Sequence, residues 1–172
     1  MAERYPTFLS GQTLTADLLV AAQPIVVRKQ VDTSRASTTT TTADPELTFS
    51  VEANAVYTWD GWLKYFADPT PDMVVDFTIP TGSLGEWSAY SAGNTTAGST
   101  AAGYLIRTDS NDVSQARNLY GTSDVQLTAL INGTLRVGST SGTFSLDWAQ
   151  GTSSATASIL YTDSWMRLQR IK

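Results

Sequence analysis

From residue 47 onward, apolar side chains take every second position. Leu47, Phe49 and Val51 alternate with Thr48, Ser50 and Glu52; Met73, Val75, Phe77 and Ile79 run in the same way up to Pro80; Phe144, Leu146 and Trp148 alternate with Thr143, Ser145 and Asp147. A period of two, rich in aromatic and β-branched residues, is the pattern of a β-strand. The densest stretch is Ala53–Phe66, where Tyr57, Trp59, Leu63 and Tyr65 share one face with Gly61, while Val56, Trp62 and Phe66 share the other with Thr58, Asp60 and Lys64. Large apolar side chains on both faces predict a central strand, one face in a core and the other against a second sheet or a neighbouring subunit. Tyr104–Ile106, Val125–Ile131, Thr134–Val137, Ala155–Tyr161 and Trp165–Ile171 predict further strands. The turns between them are marked by Asp68–Asp72 with its two prolines, Thr81-Gly82-Ser83, Gly138–Gly142 and Gly151–Ser154, and longer loops by Ser91–Ala102 and Thr108–Asn118. Asn132-Gly133 predicts a hairpin turn, although a strand passing through a bulge would carry the same pair. Roughly eight to ten strands without a long helical pattern predict an all-β sandwich or barrel.

The first 36 residues have a different pattern. Tyr5-Pro6 is extended because the residue before proline avoids the helical region. Thr13 or Thr15 can cap a short helix reaching about Gln23, with Leu14, Leu18, Leu19 and Ala22 on one side and Pro24 ending it. So short a helix is unstable alone and needs a surface to lie on. Ile25-Val26-Val27 reads as a short strand. Residues 1–36 are therefore a candidate anchoring arm, with Tyr5, Phe8, Leu14, Leu18, Leu19, Ile25 and Val27 as its contact residues. Residues 37–46, with threonine at every position from Thr38 to Thr42, form an extended Thr-rich linker or edge strand. The β domain occupies 47–172, and a chain cut at about Thr38 is expected to remain folded.

Composition removes several classes of chemistry. The 172 residues include no cysteine and no histidine, so disulfides, Ser-His-Asp and Cys-His catalysis and every His/Cys metal site are excluded. The residues imply no cofactor. A net charge of −5 argues against nucleic acid as a partner, and the sequence has no apolar run long enough to span a membrane. Between Asp44 and Glu86, eight acids stand against Lys64 alone, a pattern that a solvated face explains without a site. Paired carboxylates could hydrolyse a glycoside, but nothing sets two of these acids apart, and a non-enzymatic protein is expected. Asp109-Ser110-Asn111-Asp112 offers oxygen ligands at short spacing, yet lacks the glycine and distal glutamate of a calcium loop and reads as a polar turn. Trp59, Trp148 and Trp165 lie in alternating strands and are expected in the core or at a subunit contact. Trp87, Tyr90 and Tyr120 border the loops and are the candidate ligand contacts, for instance with a host surface glycan.

The segment GTLRVGSTSGTFSLDWAQGTSSATASILYTDSWMRLQRI (133–171), together with ANAVYTWDGWLKY (53–65), resembles small structural proteins of tailed phages of actinobacteria, minor tail or virion surface proteins. The opening YPTFLSGQTLTADLLVAAQP is similar to the F-x-x-G-x-x-L-T-A starts of such chains, with Phe8, Gly11, Leu14, Thr15 and Ala16 in place. The β portion is also similar in layout to the jelly-roll trimers of the tumour necrosis factor and complement-head type, with Tyr57 and Trp59 on the early aromatic strand and Trp165–Ile171 as the closing one. The resemblance implies a jelly-roll-like β-sandwich and a homotrimer in which neighbouring subunits cover the second face of the Ala53–Phe66 strand. It also implies a place on the virion after assembly in the host bacterial cytoplasm, on the tail as an accessory fibre or receptor binder, or on the head as a decoration protein or head fibre, with the arm on another virion protein. A carbohydrate-binding or carbohydrate-active module is the rival class.

Overall fold

A computed structural model describes residues 6, 8–93, 105–107, 109–122 and 125–172. The predicted strands are there, packed as two antiparallel sheets. After a one-and-a-half-turn helix, α1 (Ala16–Ala21), come β1 (Ile25–Arg28), β2 (Thr33–Arg35), β3 (Thr42–Val51), β4 (Val56–Phe66), β5 (Met73–Thr78) and β6 (Glu86–Gly93). They are followed by β7 (Leu105–Arg107), β8 (Asn111–Asp112), β9 (Arg117–Leu119), β10 (Leu127–Arg136), β11 (Gly142–Gln150), β12 (Ser158–Leu160) and β13 (Trp165–Arg170). The larger sheet runs β1-β13-β4-β10-β6-β7, with β2, β8 and β12 paired at its margins; the smaller runs β3-β11-β5-β9. The chain is an all-β sandwich.

β4 is the central strand that its two-faced pattern predicted, bonded to β10, β13 and β12. Its odd-numbered side chains, Tyr57, Trp59, Leu63 and Tyr65, are buried between the sheets. There the indoles of Trp59 and Trp87 from the large sheet meet Phe49, Phe77 and Phe144 from the small one. Trp59 lies 4.8 Å from Phe77 and 5.4 Å from Phe144, and Trp87 is edge-on to Phe77 at 5.0 Å. Tilted and edge-to-face pairs at these separations add to the gain from burial alone, so this cluster is what fastens one sheet to the other.

The segments read as arm and linker are largely part of the sandwich. β1 pairs with β13, and β2 with β12. Ile25 and Val27 pack against the core. β3 begins at Thr42, five residues before the alternating pattern starts, and forms the edge of the small sheet. Its pairing with β11 shifts register between Ser145 and Asp147, opposite the stretch that holds Pro45. A proline cannot donate to a ladder and is tolerated at such an edge bulge. The bulge directs Asp44 inward, where its Oδ2 accepts from Lys29 Nζ at 2.7 Å, with both side chains wholly buried. Lys29 Nζ also donates to Thr33 Oγ1 at 2.8 Å, and Asp44 accepts from Glu46 N–H at 3.0 Å and Trp148 Nε1 at 3.3 Å. Alternation cannot reveal this pair because both partners are charged. A cut at Thr38 would remove β1, β2 and Lys29 and leave Asp44 buried without its ion-pair partner.

Asn132-Gly133 is the second departure. β10 runs straight through the pair from Leu127 to Arg136, with Asn132 opposite Asp60 and Gly133 opposite Trp59. The glycine serves a packing need: a Cβ there would strike the Glu86 carbonyl oxygen and lie 2.7 Å from Trp59 Cζ2.

Among the acids of the 44–86 stretch, Asp72 is buried at a positive φ of 50° and accepts from Gly121 N–H at 2.9 Å. Burial pushes its carboxyl above the ordinary value, more than the Gly121 hydrogen bond lowers it. An acid raised on folding favours the folded state below its unfolded pKa and loses that contribution as pH rises through the folded pKa. Asp72→Asn keeps an acceptor for Gly121 and a residue at ease with positive φ, and removes the buried charge. Its melting temperature at pH 7 is expected to exceed that of the parent, with the gain shrinking towards pH 3; calorimetry at the two pH values reads it.

Candidate functional site

Two surfaces leave apolar side chains uncovered. The first is the segment before β1. Thr15 caps α1, its Oγ1 accepting from Leu18 N–H at 3.3 Å, and the helix ends within six residues. Phe8, Leu9, Leu14, Leu19 and Val20 are each more than half exposed, Leu18 is partly covered and Ala21 is buried. Tyr5, expected to share this surface, lies outside the described residues.

The second is the outer face of the large sheet. Residues directly opposite one another in an antiparallel sheet project from the same face, so the register determines which side chains form a row. Tyr90 on β6 is opposite Leu130 on β10, Leu130 opposite Trp62 on β4, Trp62 opposite Trp165 on β13, and Trp165 opposite Arg28 on β1. The row crosses five strands. Tyr90 is 47% and Leu130 53% exposed, and the two indoles are partly exposed.

One residue pair along the strands, the next row is polar as far as β13 and ends on β1 at the exposed Val26, opposite Arg167. Ser88 Oγ donates to Asn132 Oδ1 at 3.2 Å, and Arg167 Nε donates to Asp60 Oδ1 at 2.8 Å. On the other side stand Thr128 and Lys64, whose ammonium lies 5.7 Å from the centre of the Tyr161 ring. At the end of the aromatic row Arg28 is ion-paired with Asp163. The two arginines of this face are ion-paired with acids on it, whereas Lys64 meets an aromatic ring.

Of the candidate ligand contacts, only Tyr90 stands in this row. Trp87 belongs to the core: it is 1% exposed, with its Nε1 donating to the Gln115 carbonyl at 3.3 Å. Tyr120 is partly buried and its carbonyl accepts from the Tyr65 hydroxyl at 2.8 Å. Trp59 and Trp148 are core residues as expected, whereas Trp165 joins the outer row. The sequence placed Trp62 on the second face of its strand but could not say which residues stand beside it, because that depends on register between strands far apart in the chain.

The other candidate chemistry resolves into structure. Asp112 Oδ1 accepts from Ser114 N–H at 2.8 Å and Ser114 Oγ at 2.7 Å, which holds its carboxyl below the usual range, and Asp109 is ion-paired with Arg117. This is the Asx-stabilised turn the residues suggested. No group of three or more acids among the described residues is placed to hold a metal ion, and no helix among them is long and apolar enough to cross a membrane. Most of the Ser91–Ala102 loop lies outside the described residues.

No protein-family model matches the chain, and no curated protein does. Among solved structures it is similar to a chain of the structure of infectious bursal disease virus Gx strain, at 11% identity and a TM-score of 0.21. That similarity covers 86% of this chain and 40% of the viral one, and at that score it decides neither fold nor function.

Proposed function

We propose that the protein is a non-enzymatic structural component of a virion, held by its N-terminal segment on another virion protein with the β-sandwich turned outward. The observation that carries this reading is the exposed apolar set Phe8, Leu9, Leu14, Leu19 and Val20 on a segment outside the sandwich. A helix of six residues is marginal in water, and apolar side chains gathered on such a segment gain most by burial against a second protein. The mechanism is geometric: the segment supplies attachment, and the sandwich, closed by its own core and by the Lys29–Asp44 pair, supplies a rigid body that needs no partner to fold. The phage-like openings and strand patterns of the sequence support the virion, and within it the tail; a shell position would make the same protein a decoration protein.

Removing residues 1–22 tests it. The shortened protein is expected to keep the parent's circular dichroism and to come within about 3 °C of its melting temperature, since few buried groups are lost. It is also expected to be absent from purified particles that carry the full chain. Shortened protein found on particles at parental occupancy, or full-length protein missing from them, would overturn the proposal.

A further inference from the structure

We propose that the row Tyr90–Leu130–Trp62–Trp165 is a binding strip for a linear, uncharged glycan lying across the strands of the large sheet. This inference does not depend on the virion reading, because it concerns a face remote in sequence from the N-terminal segment and rests on register alone.

The dimensions of the strip favour this occupant over a second copy of the chain. Three inter-strand steps make the row about 14 Å long, and a two-residue step along the strands makes it about 7 Å wide. Its projected area is then about 100 Å², against about 800 Å² per partner in a standard protein interface. A subunit interface would also need a core depleted of charge, yet the Arg167–Asp60 and Arg28–Asp163 pairs border this row directly. The trimer contact expected on this face would have to draw in the rows beside it to reach that area. A narrow, elongated ligand fits the shape.

The chemistry of the rows identifies the ligand further. A pyranose has C–H faces that lie on aromatic rings and a rim of hydroxyls that donate and accept hydrogen bonds. The strip presents rings along its middle and, one step to the side, the Ser88–Asn132 and Arg167–Asp60 pairs. Guanidinium has five donors and carboxylate about four acceptor sites, so each retains capacity after meeting the other, and their mutual bonds fix them in place before a ligand arrives, which reduces the ordering cost of binding. Strand spacing is close to the length of one hexopyranose residue, so successive sugars meet successive strands. Because the bordering arginines are ion-paired on the face itself, Lys64 is left to attract an anionic polymer, and a single ammonium in water gains it little. An extended peptide would be recognised by main-chain pairing at a sheet edge, whereas the backbone groups of β4, β10 and β13 are engaged within the sheet.

The test titrates the full chain with four neutral hexasaccharides, of glucose (β-1,4), mannose (β-1,4), xylose (β-1,4) and N-acetylglucosamine (β-1,4), following tryptophan emission. At least one is expected to saturate the protein, with an affinity that changes less than about twofold between 50 mM and 500 mM salt, as fits a neutral ligand. Trp62→Ala and Trp165→Ala are each expected to weaken it by about tenfold or more, the scale of one lost aromatic contact with its buried area. Tyr90→Phe, which keeps the ring, should bind within about twofold of the parent, and unchanged circular dichroism in each variant separates lost binding from lost fold. Failure of all four sugars to bind at millimolar concentration would overturn the proposal. So would binding that is indifferent to both tryptophans, or a sedimentation mass that falls to the monomer in Trp62→Ala, since the face would then belong to a second copy.

Discussion

Replacing Lys29 with Met is expected to lower stability by about 3–5 kcal/mol, the range for breaking one side of a buried ion pair, and the melting temperature by roughly 10 °C or more. The reason is what remains. Asp44 would stay wholly buried with the Glu46 N–H and Trp148 Nε1–H as donors and no ion-pair partner, the guanidinium of Arg35 being stacked on Trp148 instead. Asp44→Asn errs the other way, leaving an ammonium buried beside Thr33 and the more distant Glu46 at 3.4 Å. The double variant Lys29→Met, Asp44→Asn is uncharged at both positions and keeps an acceptor for Trp148 and Glu46. Its loss should therefore fall short of the sum of the single losses by about 2 kcal/mol or more, within the usual range for contacting residues. Denaturant melts of the four proteins measure this coupling, and strict additivity would mean that the pair is not what joins β1 to β3. Acid should loosen the same corner. The N–H of Gln30, first, and then those of Val31 and the Lys29 ammonium hold the Glu46 carboxyl below its ordinary value. An acid lowered on folding stabilises the protein above its unfolded pKa and ceases to do so as pH falls through the folded pKa, so Glu46→Gln should matter at pH 7 and become neutral at pH 2–3.

That corner also shows where the sequence stops being legible. Alternation located β4, β5, β11 and β13 because each of them sends its large apolar side chains into the core from every second position, which is what a period of two records. β1 and β2 are four and three residues long, too short to establish a period, and β3 starts within a threonine run whose residues carry no apolar marker. What fastens them is a Lys–Asp contact fifteen residues apart, invisible to any pattern of hydrophobicity. The candidate surface was half legible for a related reason. Trp62 on a second apolar face is a property of one strand. The line from Tyr90 to Trp165 is a property of four strands in register, set by side chains up to 103 positions apart in the chain. Trp87 was misplaced because it adjoins a loop in sequence, while its position on β6 opposite Gly133 points it into the core.

Gly133→Ala supplies the sharpest test of how β10 was built, and a loss of about 3 kcal/mol is expected, at the upper end for overpacking a well-filled site. The added methyl would meet the Glu86 carbonyl oxygen, which is backbone and cannot turn aside, and Trp59 Cζ2 at 2.7 Å, whose indole is already held against Phe77 and Phe144. Relief would require β6 and β10 to part or the indole to leave the aromatic cluster, and either movement opens the junction between the sheets. Asn132→Thr is the control. Its side chain is on the exposed face, and threonine suits a strand, so its effect should stay within about 0.5 kcal/mol. In a hairpin turn the order would be different: type I′ geometry needs positive φ at both positions and would penalise a β-branched residue in the first as well as the alanine in the second. Near-equal losses from the two substitutions would therefore restore the turn and remove the row of opposed residues, since Leu130 meets Trp62 and Tyr90 together only if β10 continues unbroken through Gly133.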